Sequence, residues 1–570
     1  MKYIVGISGY FHDSSVCLLK DGKLIEFIKE ESLTRIKGTR GFPVRSLKFL
    51  TREYALTDNN VKYLAFYEKP LRGWAATIHH SLAQPRKSFD LLRHQIKQFW
   101  SGPIHFVTEL KKIIHLSEHK LLFVPHHLSH ALSAIAFVNS KIQDKPLLNF
   151  VFDGVGDGNT TSIFKFQDNA AELVFQQNYP HSLGLFYSAV TDYCGFLVNE
   201  GEYKLMALAA FGRPTCYEFF REQVFSITMP SFSLDMSWFD YDKSPERSFS
   251  KKWIEKFGSP IKGKDIQDMQ SESFQRAADL ALSSQLVIQD IINSTIDWGI
   301  KETGIRDVTI SGGVAQNSLA MCSAALVPGL NSITIPPSPG DSGAAIGAAN
   351  FAKMVDGGAS IACKDIFFGK SQLDDARPDF KEMFLLESGP KTMKTNLDTL
   401  MGSGEIICCY FGGNEIGPRA LCNRSLICAA NNKKSVVKLN SIIKKREKFR
   451  PLAPVMLRSV AELWFEVNQK ASDCYKWMAL TAVAKETLPT EYEPILHFDR
   501  TARIQILDDE LHPIHDFLIR NRGKIDMLVN TSFNVGGDPI VFDAFDCFVN
   551  MKRLGIQLVI TDTGLYSCKP

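Results

Sequence analysis

The chain has 570 residues, 45% hydrophobic and 22% charged, with a formal net charge of +3. That length exceeds a single hydrophobic core, and the balanced charge, with no basic tail or Lys/Arg stripe, does not suggest a nucleic-acid partner. No stretch reaches the length of a membrane span, "MKYIVGISGY" is too short for a signal peptide, and the 12 cysteines form no CxxC pair, which leaves buried thiols in a reducing cytoplasm as the simplest reading.

The opening stretch "YIVGISGYFHDSSVCLLKDGKLIEFIKEE" reads as strand, polar loop, strand, Asp-Gly turn and strand. Further on, Pro125 suits the start of a helix over "HHLSHALSAIAF". His126 and His130 are then four residues apart on one face, close enough to hold one metal ion, while His127 points elsewhere. The zincin signature fails, because His127 stands where Glu is required. Near residue 147 the opening pattern returns as "LLNFVFDGVGDGNTTSIFKFQDNAAELVFQQ", which suggests an internal duplication of the kind that builds actin-like and sugar-kinase-like ATPases.

Two later stretches, "DVTISGGVAQNSLAM" and "ITIPPSPGDSGAAIGAA", each break at glycine before a helix of small residues. Small residues let backbone approach a phosphate, and helix N-termini offer it free amides. The loops at 5–14, 153–158, 311–317 and 339–347 together point to nucleotide phosphate, with Gly154, Gly156, Gly312, Gly313, Asn317 and Gly340 as candidate nucleotide-binding residues. Asp153 and Asp341 lie on these loops. With the histidines they complete a His₂Asp₂ set that would accept Fe, Mn or Zn.

From about residue 370 the character changes. An apolar strand, "GEIICCYFGG", precedes a concentration of basic residues: Arg419, Arg424, Lys444, Lys445, Arg446, Arg450 and Arg503. Arginine's planar fork matches the oxygens of a small anion, and lysine adds a point charge. Asn530 and Ser532, in "VNTSFN" at the end of an apolar strand, could bind an amide or adenylate group. Taken alone, "KKREKFR" reads as a solvated helix face.

The motifs "FHDSS", "HHLSHA", "DGVGDG", "GEYKLMALAAFG", "SGGVAQNS", "PGDSG", "GPRALCNRSLI", "LNSIIKKREKFRPLAP", "TARIQIL" and "NTSFNVGGDPIV" span almost the whole chain. In this order they resemble the carbamoyltransferase family that includes nodulation-factor, cephem and aminoglycoside O-carbamoyltransferases, tobramycin- and saxitoxin-pathway members among them. The resemblance implies an α/β architecture: a duplicated actin-like (Kae1-like, ribonuclease-H-like) domain over 1–360 and a YrdC-like domain over 370–570. It implies ATP-dependent transfer of the carbamoyl group of carbamoyl phosphate, through carbamoyl adenylate, to a hydroxyl of a small natural-product acceptor. By resemblance the metal is Fe²⁺ or another divalent ion at His126, His130, Asp153 and Asp341, with Mg²⁺ accompanying ATP. Lys204 joins the nucleotide residues, His12 is the base with Asp13 beside it, and Arg419, Lys444, Arg450, Arg503 and Asn530 take the carbamoyl phosphate and adenylate, with Ser532.

The unperturbed histidine pKa of about 6.5 suits His12 to base work near neutrality. Two sites make chemical sense, since carbamate is a poor acyl donor until adenylation gives it a good leaving group, and the adenylate needs protection from water. The chain departs from the family pattern at Cys422, where a glycine is usual, at "ALAAFG" for "GLAPYG", and at Asn414 in "FGGNEIGPR". The segments "KPLRGWAATIHHSLAQPRKSFDLLRHQIKQFW", containing His79 and His80, and "MPSFSLDMSWFDYDKS" look like inserts; lining the acceptor pocket is the expected role, with packing helices or a dimer surface as equal alternatives. Alternative readings are a tRNA threonylcarbamoylation-type enzyme and a non-catalytic actin-like nucleotide switch. Whether the chain forms a homodimer stays open.

Overall fold

The computed structural model describes residues 2–72, 75, 78, 82, 89–369, 378–447 and 449–569. His79, His80 and Lys448 lie outside the described residues. The chain divides into two units, one of Met1–Leu24 with Arg40–Lys364 and one of Ile25–Thr39 with Asp365–Pro570.

The first unit contains two five-stranded sheets of the same plan. The first has the order β3-β2-β1-β4-β5, with β1 Tyr3–Ser8, β2 Ser15–Lys20, β3 Lys23–Lys29, β4 Val61–Phe66 and β5 Leu121–Phe123; β3 begins in this unit and runs into the second. β1 is antiparallel to β2 and parallel to β4, which is parallel to β5. The second sheet uses β6 Leu147–Gly156, β7 Asn159–Gln167 and β8 Ala170–Asn178, then β11 Asp307–Ser311 and β12 Ser332–Thr334, in the order β12-β11-β6-β7-β8. β6 is antiparallel to β7 and parallel to β11, which is parallel to β12. Each half thus places its first strand centrally, a meander on one side and parallel strands on the other. This repeated order is the duplicated actin-like plan that the two meanders led us to expect.

Helices join the parallel strands because such strands need a crossover. They include α1 His126–Ile135, α2 Leu183–Tyr193, α3 Glu272–Thr303, α4 Ser318–Ala324 and α5 Asp341–Val355. The Ser271 hydroxyl accepts the Phe274 N–H at 3.1 Å to start α3, and Gly304 at φ 72° ends it. α5 is made of small residues because it packs closely against its neighbours. A Cβ at Gly347 would overlap the carbonyl oxygen of Ser129 in α1, and Cys17 of β2 donates its thiol to the Ala345 carbonyl at 3.3 Å.

Between α2 and α3 the chain forms a hairpin, β9 Phe225–Thr228 and β10 Ser231–Leu234. The aromatic side chains that follow turn inward. Phe239 and Trp253 are buried, and their rings lie against Phe186, Tyr193, Phe220 and Phe257. Phe239 and Trp253 of the 229–257 segment therefore belong to an aromatic packing layer.

The second unit is built on an eight-stranded mixed sheet. Its order is Phe384–Ser388, Leu565–Cys568, Leu558–Thr561, Ile407–Tyr410, Arg424–Ala429, Met527–Ser532, Ala453–Met456 and Gln505–Ile506. Among the described residues no helix is long and apolar enough to cross a membrane.

The close approach of α5 to α1 makes Gly347 a sensitive position. Gly347→Ala should destabilise the first unit by about 1–3 kcal/mol through overpacking. Chemical denaturation followed by far-UV circular dichroism measures this, and an unchanged midpoint would contradict it.

Candidate active site and metal centre

α1 presents His126 and His130 on one face, with their Nε2 atoms 3.0 Å apart. Asp153 reaches them from β6, whose pairing with β7 is interrupted between Phe152 and Gly156. Its Oδ2 lies 3.2 Å from His126 Nε2 and 4.0 Å from His130 Nε2. Asp341, the first residue of α5, brings Oδ1 to 3.6 Å and 3.3 Å from the same two atoms. All four side chains are buried, and their ligand atoms lie within 4.8 Å of one another.

This group could hold a metal ion. The two Nε2 atoms face each other closely with carboxylates on either side, while both Nδ1 atoms are buried and make no hydrogen bond among the described residues. Two imidazoles and two carboxylates form a donor set suited to Fe, Mn or Zn. Burial lowers the proton affinity of His126, but the Asp153 hydrogen bond and the charges of Asp341, Asp153 and Glu68 raise it to about 10. For Asp153, burial pushes the carboxyl up, but the hydrogen bond to His126 and the nearby histidines hold it well below the usual range.

The surrounding loops converge on the cluster. The Asp157 carboxylate accepts the His126 N–H at 2.9 Å and the Lys69 N–H at 3.1 Å, fixing the start of α1. Asp153 Oδ1 accepts the Gly313 N–H at 2.9 Å, and the Gly312 N–H donates to the Pro339 carbonyl at 2.9 Å. The Ser15 hydroxyl, just after the first loop, donates to the Ser342 carbonyl at 2.7 Å. Gly156 is required for a different reason from the phosphate approach expected of it, because a Cβ there would overlap the His126 ring.

Other candidates take more specific places. His127 hydrogen-bonds Ser162 Oγ at 2.7 Å, and burial lowers its pKa to about 3, so it stays neutral and outside the cluster. The Asn317 side chain caps α4, accepting the Ala320 N–H at 3.0 Å, and donates to Gln285 at 2.8 Å; it is used internally. Lys204 lies with Nζ 5.8 Å from the Phe196 ring centre. The Gly154 carbonyl accepts the Ser182 hydroxyl at 2.8 Å, and a Cβ at Gly340 would press on the Gln316 amide.

His12 Nδ1 lies 3.0 Å from Asp13 Oδ2, on a loop where Tyr10 and Asp13 have positive φ. Burial lowers its pKa, but the Asp13 hydrogen bond and the charges of Asp341, Asp13 and Asp153 raise it to about 9. This corrects the unperturbed value assumed from sequence: the carboxylates hold a proton on His12 at neutral pH.

In the second unit, Lys444 is buried and donates to the Ser532 carbonyl at 3.0 Å and to the Asn534 carbonyl and Oδ1 at 2.7 and 2.6 Å. Burial, then Arg446, Arg450 and Lys37, push its amine down to about 6, against the preference of the three oxygens for an ammonium. Burial and the charges of Arg419, Arg446 and Arg450 likewise push Arg503 well below its usual value, and its Nε is buried with no hydrogen-bond partner among the described residues. Arg419, Lys444, Arg450 and Arg503 therefore come together as expected. Arg446 and Lys37 belong with them but were not chosen from sequence. The alternate-residue spacing from Lys444 was a usable signal for Arg446, whereas nothing local marks Lys37. Its segment is held to this unit by Arg35, which donates to the Pro539 and Ile540 carbonyls at 2.9 and 2.8 Å.

Three polar residues have structural work here. Arg424 is buried, stacks 3.6 Å from the Tyr410 ring centre and donates to the Phe411 and Gly412 carbonyls. The Asn530 amide donates to the Ala420 carbonyl at 2.9 Å and Gln505 Oε1 at 2.6 Å, leaving its buried Oδ1 as the open acceptor. Ser532 donates to Asn534 Oδ1 at 2.7 Å. Cys422 has φ 82°, which explains why glycine is usual at its position.

A duplicated α/β unit around a buried His₂Asp₂ cluster, joined in sequence to an α/β unit with a cationic cluster, defines a two-part enzyme class. The family descriptions "Carbamoyltransferase N-terminus" and "Carbamoyltransferase C-terminus" match residues 3–350 and 399–567, and the chain belongs to this carbamoyltransferase family. It is 31% identical to the uncharacterized protein sll1178 of Synechocystis sp., over 97% of this chain and 95% of that one. It is 26% identical to nodulation protein NolNO of Sinorhizobium fredii, over 98% of this chain and 79% of the relative. Similarity to the 3'-hydroxymethylcephem-O-carbamoyltransferase of Amycolatopsis lactamdurans is 28%, over 45% and 48% of the two chains.

Replacing Asp341 by Ala should reduce retained divalent metal at least about tenfold after a chelator challenge, because an N₂O₂ site loses one of its two charged ligands. Elemental mass spectrometry of the purified protein reads this directly, and wild-type metal content in the variant would refute the ligand set.

Proposed function

We propose that the protein is an ATP-dependent O-carbamoyltransferase that draws on carbamoyl phosphate, forms carbamoyl adenylate in the second unit and carbamoylates a hydroxyl of a small acceptor in the first. The observation that carries this reading is the gathering of Lys444, Arg419, Arg446, Arg450 and Arg503, where burial first and then the neighbouring positive charges depress Lys444 and Arg503. A polyanion offsets those charges. Carbamoyl phosphate and the ATP triphosphate carry such charge in planar or tetrahedral oxygens that guanidinium groups bind in bidentate fashion. The Oδ1 of Asn530, buried with no hydrogen-bond partner among the described residues, would accept an N–H of the carbamoyl end in this reading.

The steps balance as follows. Water releases phosphate from carbamoyl phosphate to leave carbamate; the carbamate oxygen attacks the α-phosphorus of ATP and pyrophosphate leaves. The acceptor hydroxyl then attacks the carbamoyl carbon, AMP departs, and the hydroxyl proton is removed. His12 is our candidate for that proton, with Asp13 fixing its ring. A divalent ion at His126, His130, Asp153 and Asp341 would supply Lewis acidity and offset the carboxylate charge that keeps His12 protonated. Fe²⁺ is our choice by family resemblance, with Mg²⁺ accompanying ATP.

Purified protein incubated with carbamoyl phosphate, ATP and Mg²⁺ should release pyrophosphate and form carbamoyl adenylate, detected by mass spectrometry, without an acceptor. Arg450→Ala should lower that rate by about tenfold or more, while His12→Ala should leave it intact and abolish transfer once the acceptor is found. Equal loss of pyrophosphate release in both variants would overturn the division of labour. Because burial and then the neighbouring cations push the Lys444 amine down to about 6, an anion that relieves those charges should favour its protonated form and take up as much as about one proton at pH 7.5. Calorimetry with carbamoyl phosphate should then give a heat that varies with the ionisation enthalpy of the buffer, and a buffer-independent heat would contradict this.

A further inference from the structure

The stretch from Phe411 to Asn423 joins two central strands of the eight-stranded sheet, Ile407–Tyr410 and Arg424–Ala429, and carries Arg419. It makes almost no regular secondary structure, yet its polar groups are closely accounted for. Glu415 sits near its start, where Asn414 and Glu415 pair with Phe368 and Phe367. One carboxylate oxygen, Glu415 Oε1, accepts the N–H groups of Leu421 at 2.7 Å, Asn423 at 3.0 Å and Arg424 at 2.9 Å. The intervening N–H of Cys422 donates to Ser425 Oγ at 3.0 Å.

The carbonyls of the same turn are held from neighbouring strands. Asn530 donates to the Ala420 carbonyl and Gln505 to the Leu421 carbonyl, at 2.9 and 3.1 Å. Asn423 closes the loop by donating to the Gly413 carbonyl at 3.0 Å. Its Oδ1 lies 3.1 Å from His512 Nε2, and His512 Nδ1 accepts the Ile514 N–H, so the proton of a neutral ring sits on Nε2 and is donated to Asn423. Burial keeps that ring neutral, lowering its pKa to about 4.

Charge-assisted bonds to a carboxylate are stronger than bonds between neutral groups, and three amides on one oxygen fold the chain around that point. We infer that Glu415 is a positioning residue: its carboxylate shapes the 416–424 turn and so aims Arg419 into the cationic cluster of Lys444, Arg446, Arg450 and Arg503. This inference rests on the reading of that cluster as the carbamoyl phosphate site. With three amides already on Oε1, that oxygen is committed to the loop, and Glu415 acts through Arg419.

The test is a double-mutant cycle on the full chain, with two readouts. The first is the KM for carbamoyl phosphate, and separately for ATP, in pyrophosphate release. Glu415→Ala and Arg419→Ala should each raise the carbamoyl phosphate KM by about tenfold or more, with Glu415→Gln intermediate because it keeps an acceptor oxygen. The double variant should be no worse than Arg419→Ala alone, since both changes remove one interaction. Additive losses, or an unchanged KM in Glu415→Ala, would overturn the role. The second readout is the affinity for inorganic phosphate by calorimetry, which needs no turnover. If wild-type protein releases no pyrophosphate, the adenylation reading fails while this cycle still decides the positioning role. Should Glu415→Ala not fold, Glu415→Gln with Arg419→Ala gives the same comparison.

Discussion

The first unit depends on burying two imidazoles and two carboxylates together beneath its loops. Ionisable groups removed from water cost several kcal/mol each unless they are paired or neutralised. Here they compensate one another, which forces α1, β6 and α5 to deliver their side chains to one point. Small residues follow from that demand. The Gly156 backbone lies against the His126 ring, and α5 must approach α1 without a side chain at Gly347. The duplicated sheets make this possible, because the strand order in each half directs its loops toward the shared centre.

The second unit gathers positive charge instead. Positive groups are gathered from the 416–424 turn, from the Lys444–Arg450 stretch, from Arg503 and from the distant segment containing Lys37. Part of that charge is balanced locally, since Arg450 pairs with Glu447 at 3.1 Å and Arg446 donates to the Thr531 hydroxyl at 2.6 Å. The two units thus hold different electrostatic arrangements, one suited to a cation and one to anions.

Much of the plan was legible because it is written locally. Alternating apolar strands and Asp-Gly turns reveal the repeated meander within short windows, and helical spacing puts His126 and His130 on one face. Roles that depend on distant partners were harder to read. The proton affinity of His12 is set by its burial and by the adjacent Asp13, but also by Asp341 and Asp153 from other elements. Asn317 and Arg424 look like ligand-binding residues by type, yet one caps a helix and the other is buried against Tyr410.

By itself the sequence determined the repeated strand pattern, the spacing of the histidine pair, the glycine loops and the choice of arginine and lysine near the end of the chain. These follow from short-range geometry and side-chain chemistry, which need no knowledge of distant partners. Only the tertiary structure decided which charges face one another. It gave His12 its proton, set Glu415 beneath the turn that carries Arg419 and brought Lys37 to the cationic cluster. The reason is physical: electrostatic energy depends on separation in space and on burial, and neither is encoded in any one stretch of chain.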